Sequence, residues 1–468
     1  MSHEETTSSV RLSFVSMISG VLLLLLACAS QLAALGPEEL VVVVLSQADV
    51  YHSALARDLR TSLIQQSSAS GQKGPKVYLT HEDFPHPGAW TVAPVIPWLF
   101  KNYENNTSWI IFCEERTRFN LERLISFLSQ YDPSQEMWLG HGLQDAEPTI
   151  VHHFQFSPKP MQYPLLAAGF AMSAALLKKL YYTPRHAKTG FSIDAMYELA
   201  QMVNSTAMLS WPSEFCLENN HTRCASYPLP FLSCGEPVPN EDIFFAVKTC
   251  LKFHKERVPV IQNTWGKDAS NIEFFSDVQD GSIPTTSVGI ANTGRGHCAK
   301  TKAILELVLK RFHKLPNLQW LVLTDDDTLL SVPRLRQLLS CWSDQAVVVG
   351  ERYGFEVRLS SGYNFPTGGA GTAINMAVLS SLVREFRCFA DNAPDDMIMG
   401  SILKQLGIPI IHSPLFHQAR PMDYPAEYLA TQQPISFHKY WETDPFSVYE
   451  QWFSTTQPQS SPDLHSEL

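Results

Sequence analysis

The chain alternates short, wholly apolar runs with longer stretches of mixed polarity. Residues 41–45 and 244–247 are aliphatic and aromatic runs of strand length, and residues 321–324 repeat the pattern. None shows the polar alternation of a half-exposed strand, so each predicts a strand buried on both faces. Helical stretches are expected at residues 52–65, 302–312, 334–341 and 375–386, and from the acidic pair at 395–396 through Gly400 to Leu406. Strands alternating with helices predict an α/β fold, a mostly parallel sheet wrapped by helices.

The pattern occurs twice. Residues 109–117 and 121–124 parallel residues 320–328 and 332–335. In the same order, Ala167, Ala168 and Gly169 parallel Gly369, Ala370 and Gly371, and residues 191–194 parallel 393–396. Residues 40–45 parallel 243–247. This order implies a duplicated unit of ~200 residues, an ordinary domain size. The expected division is a first copy over 38–205, a Cys- and Pro-rich linker over 206–240 and a second copy over 241–452.

One uncharged stretch, residues 12–37, is long enough to span a membrane, which excludes a multi-pass transporter or channel. Arg11 precedes it and Ala27, Cys28, Ala29 and Ser30 follow its aliphatic block. Residues 1–37 are therefore expected to be a cleaved signal peptide or an uncleaved signal anchor. Residues 453–468 form a polar tail ending His465, Ser466, Glu467, Leu468, which resembles the KDEL/HDEL retention signal. Both ends predict residence in the endoplasmic reticulum lumen, soluble or anchored, with a KDEL-type receptor as a partner.

Composition narrows the picture further. Across 468 residues, 45% hydrophobic and 17% charged content excludes wholesale disorder. The formal charge of −11 argues against an electrostatic nucleic-acid binder. In an oxidising lumen the eight cysteines after Cys28 are candidates for disulfides. Their spacing allows about a hundred pairings and contains no zinc motif. Sequons at Asn105, Asn106, Asn204 and Asn220 suit a glycoprotein.

The candidate chemistry lies in the second copy. The apolar run 321–324 ends in Asp325, Asp326 and Asp327. Three carboxylates at the end of a buried strand repel one another unless a cation joins them. An oxygen-rich site of this kind suits Mg²⁺ or Mn²⁺ and could bridge to a diphosphate. Residues 364–371 carry Gly368 and Gly369, which permit close backbone approach to a ligand. Asp395 and Asp396 open a helix, where a carboxylate serves either as an N-cap or as a general base.

The strand ending in three aspartates, the glycine segment and the Pro394-Asp395-Asp396 motif, in this order, resemble the β1,3-glycosyltransferases related to Fringe. Residues 242–249, His254, Arg257, Trp265 and Asp277 add to the resemblance, which covers about residues 240–440. It implies two tandem GT-A-like, Rossmann-like domains, the first degenerate and the second catalytic. The degenerate copy, the targeting segment and the tail resemble those members that transfer glucose from UDP-glucose to O-linked fucose on thrombospondin type 1 repeats. The resemblance makes Asp327 a metal ligand, sets Asp325 and Asp326 toward the donor's ribose and sugar, and makes Asp396 the base. Thr249, Arg257 and Asp277 lie where the family holds the nucleotide. The family's ligand histidine falls in a Phe-His-x-His segment. Here residues 416–419 lack the second histidine, which leaves His417 as the candidate and His438 as the alternative.

The first copy has Glu114, Glu115 and Arg116 in place of the three aspartates, and Leu166 and Ala167 in place of Gly368 and Gly369. No metal and no transfer are expected there. Its retention predicts another role, either recognition of a folded fucosylated repeat through polar loops at its strand ends or stabilisation of its neighbour alone. A galactosyl- or N-acetylglucosaminyltransferase and a non-catalytic lectin- or chaperone-like protein remain the alternatives.

Overall fold

The computed structural model describes residues 35–454 apart from 105, 148, 153–160, 184–189, 205, 221 and 313–316. The apolar segment up to residue 34, the tail from 455 and Asn105 lie outside the described residues. Among those described, no helix is long and apolar enough to cross a membrane.

Two mixed α/β sheets form the molecule. Across the first run Leu209–Ser210, Trp138–Gly140, Phe170–Ser173, Trp109–Glu114, Leu40–Leu45 and Lys76–Leu79. Across the second run Ile410–His412, Val348–Gly350, Thr372–Asn375, Trp320–Asp325, Ile243–Lys248, Ile272–Ser276 and Thr285–Ser287. Apart from the extra edge strand Thr285–Ser287, order and sense agree. Only Phe170–Ser173 and Thr372–Asn375 run antiparallel to both neighbours. Register agrees as well: Leu40 lies beside Trp109, and Ile243 beside Trp320.

Side-chain detail repeats too. Thr117 Oγ1 donates to the Ala167 carbonyl at 2.9 Å, and Thr328 Oγ1 to that of Gly369 at 2.8 Å. Ser226 Oγ donates to the Ala168 carbonyl at 2.6 Å, and Ser436 Oγ to that of Ala370 at 2.6 Å.

The expected elements form for the expected reason. Every residue of Leu40–Leu45 and Ile243–Lys248 is buried, because apolar clusters cover both faces of each sheet. The helices Val50–Ala69, Cys298–Phe312, Val332–Leu339, Met376–Glu385 and Asp395–Leu406 stand where periodicity placed them.

The segment expected to be a linker is built into the first half. Leu209–Ser210 is an edge strand of the first sheet, and Ser226–Pro228 pairs with Thr117–Phe119. A disulfide, Cys216–Cys224, closes the turn between them. Backbone pairing decides this membership, and Pro- and Ser-rich composition does not reveal it. Cys234–Cys341 and Cys298–Cys388 are also bonded, while Cys113 and Cys250 are buried thiols. Asn106, Asn204 and Asn220 are all exposed, as acceptor sequons must be.

The halves pack strand ends against strand ends. Gln47 and His412 exchange hydrogen bonds at 2.9 and 2.8 Å, and Trp342 Nε1 donates to Asp49 at 2.8 Å. Phe191–Ser192 adds a strand to the hairpin of Arg352–Phe355 and Tyr363–Pro366. The loops at the first sheet's strand ends therefore face the second half.

Candidate active site

The strand Trp320–Asp325 carries the acidic run to the C-terminal edge of the second sheet, where open α/β sheets place ligands. Each carboxylate has a different partner. Asp325 Oδ1 lies 3.0 Å from Lys248 Nζ, on the parallel neighbouring strand. Burial raises the Asp325 pKa, but Lys248 together with His438 and His297 outweighs it and brings it down to about 2. Asp326 is 4% exposed and turns inward, accepting from Thr249 Oγ1 at 2.7 Å and Arg257 Nη1 at 2.7 Å. Each of its oxygens accepts one of these bonds, so it holds Thr249 and Arg257 in place. Arg257 also reaches Asp327 at 3.0 Å and stacks on the Phe253 ring.

Asp325, Asp327 and His438 bring one ligand atom each within 4.8 Å of one another. His438 Nε2 lies 3.1 Å from Asp327 Oδ1, and its Nδ1 lies 3.0 Å from the Gln418 carbonyl. That carbonyl can only accept, so Nδ1 carries a hydrogen; Asp327 also accepts, so Nε2 donates to it here, and loss of that one proton would turn a lone pair toward the carboxylates as a ligating histidine requires. Two carboxylates and an imidazole suit Mn²⁺ or Mg²⁺.

His417 is corrected. It is 1% exposed, its ring packs on Tyr424 and Phe437, and its Nδ1 bonds the Ser436 carbonyl at 3.1 Å. Burial pushes its pKa down to about 4, so it is a neutral core histidine. Strand pairing explains the choice: Ser436–His438 runs antiparallel to Thr328–Leu330 and sets His438 opposite Thr328, next to Asp327.

The glycines make room for these groups. A methyl group at position 369 would come within 2.3 Å of the His438 ring. At 368 it would approach Lys248 Nζ at 3.9 Å. Gly400 lets the helix Asp395–Leu406 lie directly on the strand Tyr363–Pro366, since a methyl group there would meet Phe365 at 2.3 Å.

Asp395 and Asp396 differ sharply. Asp395 accepts from Lys248 at 3.0 Å and from Thr301 Oγ1 at 2.5 Å. Burial works to raise its pKa, but Lys248 and Thr301 hold it below the usual range. Asp396 accepts only its neighbour's backbone N–H, that of Met397 at 2.8 Å, among the bonds described. Burial, and then the charge of Asp395, push its pKa up to about 6, a value suited to a base.

Of the expected nucleotide-binding residues, Asp277 accepts from the Leu251 N–H at 2.9 Å, and the Thr249 carbonyl accepts from Lys300 Nζ at 2.9 Å. Sequence reasoning missed Lys248, Lys300 and Thr301. Lys248 had a signal: it is the one charged residue in an otherwise apolar strand, beside the strand that ends in aspartates.

The matched registers show what the first half holds at these places. Leu45 stands for Lys248, Arg116 for Asp327, and Pro228, opposite Thr117, for His438. The cation, one carboxylate and the imidazole are all replaced.

A family model described as Fringe-like matches residues 96–204 and 238–467. The chain is 44% identical to a mouse beta-1,3-glucosyltransferase over 90% of its own length and 87% of that protein. It is 44% identical to the human beta-1,3-glucosyltransferase, over 89% and 85%. The newt (Notophthalmus viridescens) beta-1,3-N-acetylglucosaminyltransferase radical fringe is 30% identical over 38% of this chain and 51% of its own. With the acidic strand end, its histidine and the freed Asp396 in place, the chain belongs to the Fringe-like family of β1,3-glycosyltransferases.

Proposed function

We propose that the protein is an inverting transferase that moves glucose from UDP-glucose, in β1,3 linkage, onto O-linked fucose of folded thrombospondin type 1 repeats. It works in the endoplasmic reticulum lumen, in keeping with the targeting segment and the tail. The donor is supported by the name of the mouse and human relatives, beta-1,3-glucosyltransferase. The observation that carries the reading is the pairing of the Asp325, Asp327 and His438 set with an Asp396 left free beside it.

Asp396 takes the proton from the acceptor hydroxyl as that oxygen attacks the anomeric carbon from the face opposite UDP. A single displacement inverts the carbon, so an α-linked donor gives a β linkage. Lys248 keeps Asp395 ionised and turned away, which leaves Asp396 to act alone. Asp326 orients Thr249 and Arg257 for the nucleotide, with Asp277 closing the same edge. Mn²⁺ or Mg²⁺ held by Asp325, Asp327 and His438 would neutralise charge on the diphosphate leaving group. The first half, with Arg116 and Pro228 in place of ligands, is the degenerate, non-catalytic unit.

UDP release with UDP-glucose, UDP-galactose and UDP-N-acetylglucosamine, on a fucosylated repeat with Mn²⁺, tests the proposal. Release from UDP-glucose alone supports it. Preference for another donor replaces the sugar, and no turnover with any donor defeats it.

A further inference from the structure

The matched strand ends of the first half have not closed over. A cavity of about 190 Å³ lies at that edge, between the halves. Glu114, Glu115 and Arg116 line it from the first half, and Glu351, Arg352 and Trp342 from the second. We propose that this cavity is a second saccharide site, holding one neutral monosaccharide unit between the two halves. The inference does not depend on which donor the catalytic site uses.

The volume suits a ligand smaller than a nucleotide sugar, since pockets for drug-sized ligands enclose ~300–1,000 Å³. Charge points the same way. Glu114 and Glu115 oppose a diphosphate, while Arg116 and Arg352 oppose a bare metal ion. Among the described residues, the group spaced to hold a metal is the one at Asp325, Asp327 and His438. A neutral polyol satisfies both signs, donating to carboxylates and accepting from guanidinium groups. Trp90, which carries the Arg352 guanidinium at 4.7 Å, and Trp342, stacked on His52, are also among the lining residues.

Arg352, Glu115 and Glu114 on this wall lack strong side-chain partners. Arg352 Nε is buried without a hydrogen bond. Glu115 is 6% exposed and reaches His52 Nε2 only at 3.5 Å, while Glu114 reaches Arg116 only at 3.9 Å. Burial holds both carboxyl groups above their usual range, and it pushes Glu351 up to about 8. Glu351, protonated at neutral pH, both donates and accepts, as sugar hydroxyls require. Leaving such groups unpaired costs stability, and an occupant with hydroxyls on several sides would pair them. Glu351 also ties the cavity to the active site, since it accepts from the Gln418 N–H at 2.6 Å and the Gln418 carbonyl positions His438.

Ligand-observed NMR on the full chain, with D-glucose and L-fucose as probes, tests the proposal. Saturating UDP and Mg²⁺ fill the nucleotide subsite but leave the acceptor subsite open, so the cavity variants assign the signal. At least one probe should bind, and Ala167→Trp, which fills the cavity, should abolish the signal. Glu115→Gln should weaken binding about tenfold. Thermal melting checks that each variant folds. If Ala167→Trp fails to fold, Glu115→Gln decides. No signal under UDP, or a signal that the folded variants leave unchanged, overturns the proposal and leaves a cavity that holds only water.

Discussion

Lys248 Nζ and Asp395 Oδ2 lie 3.0 Å apart, 147 residues apart in the chain. This contact separates the roles of two adjacent aspartates. It binds one carboxylate to a buried cation and leaves the other, Asp396, with a pKa raised to about 6. The geometry around this pair and around His438 leads to four expected outcomes.

Asp396→Asn should lower kcat by ~10²–10⁴-fold while UDP-glucose binding persists. The native enzyme should lose kcat as pH falls through about 6, because the base works as the carboxylate and that form is lost below its pKa. Single-turnover rates across pH measure both. A more severe loss from Asp395→Asn than from Asp396→Asn, with the fold intact, would reverse the assignment.

His438→Ala should remove metal-dependent transfer, and His417→Ala should leave it. The latter should instead cost about 2–4 kcal/mol of stability, since it empties a packed site in the core. Mn²⁺ titrations of activity, set beside chemical denaturation, separate the two. Metal dependence lost with His417 and kept without His438 contradicts the geometry.

Gly369→Ala should push the His438 ring from the carboxylates and weaken metal affinity about 10–100-fold, the size of other outer-sphere effects. The matching position in the first half already holds alanine, and Pro228 stands where a ring would clash. Ala167→Gly should therefore leave transfer unchanged. Unaltered Mn²⁺ affinity in Gly369→Ala would show that the ring yields without cost.

Lys248→Met should destabilise the protein by about 3–5 kcal/mol, because Asp325 and Asp395 would lose their shared buried cation. Denaturation at neutral pH measures this. A neutral or stabilising effect would mean that solvent already screens the pair.

The α/β class, the duplication and the main elements are legible in the amino-acid order alone, because buried strands and helices impose local periods on hydrophobic residues. Asp325, Asp327, Gly369 and Asp396 stand out in the sequence too, their roles there being what the resemblance to the Fringe-related transferases implies. Packing settles the rest. His438 outranks His417 because antiparallel pairing, set by distant strands, delivers it to Asp327. Asp395 and Asp396 share a motif, and only the approach of Lys248 from another strand tells them apart. The segment taken for a linker joins the first sheet through backbone bonds that composition does not record. The loops at the first sheet's strand ends meet the second half through contacts the sequence does not show. In each case the deciding contact joins residues far apart in the chain, and a one-dimensional pattern carries local preference but not the partner that packing brings.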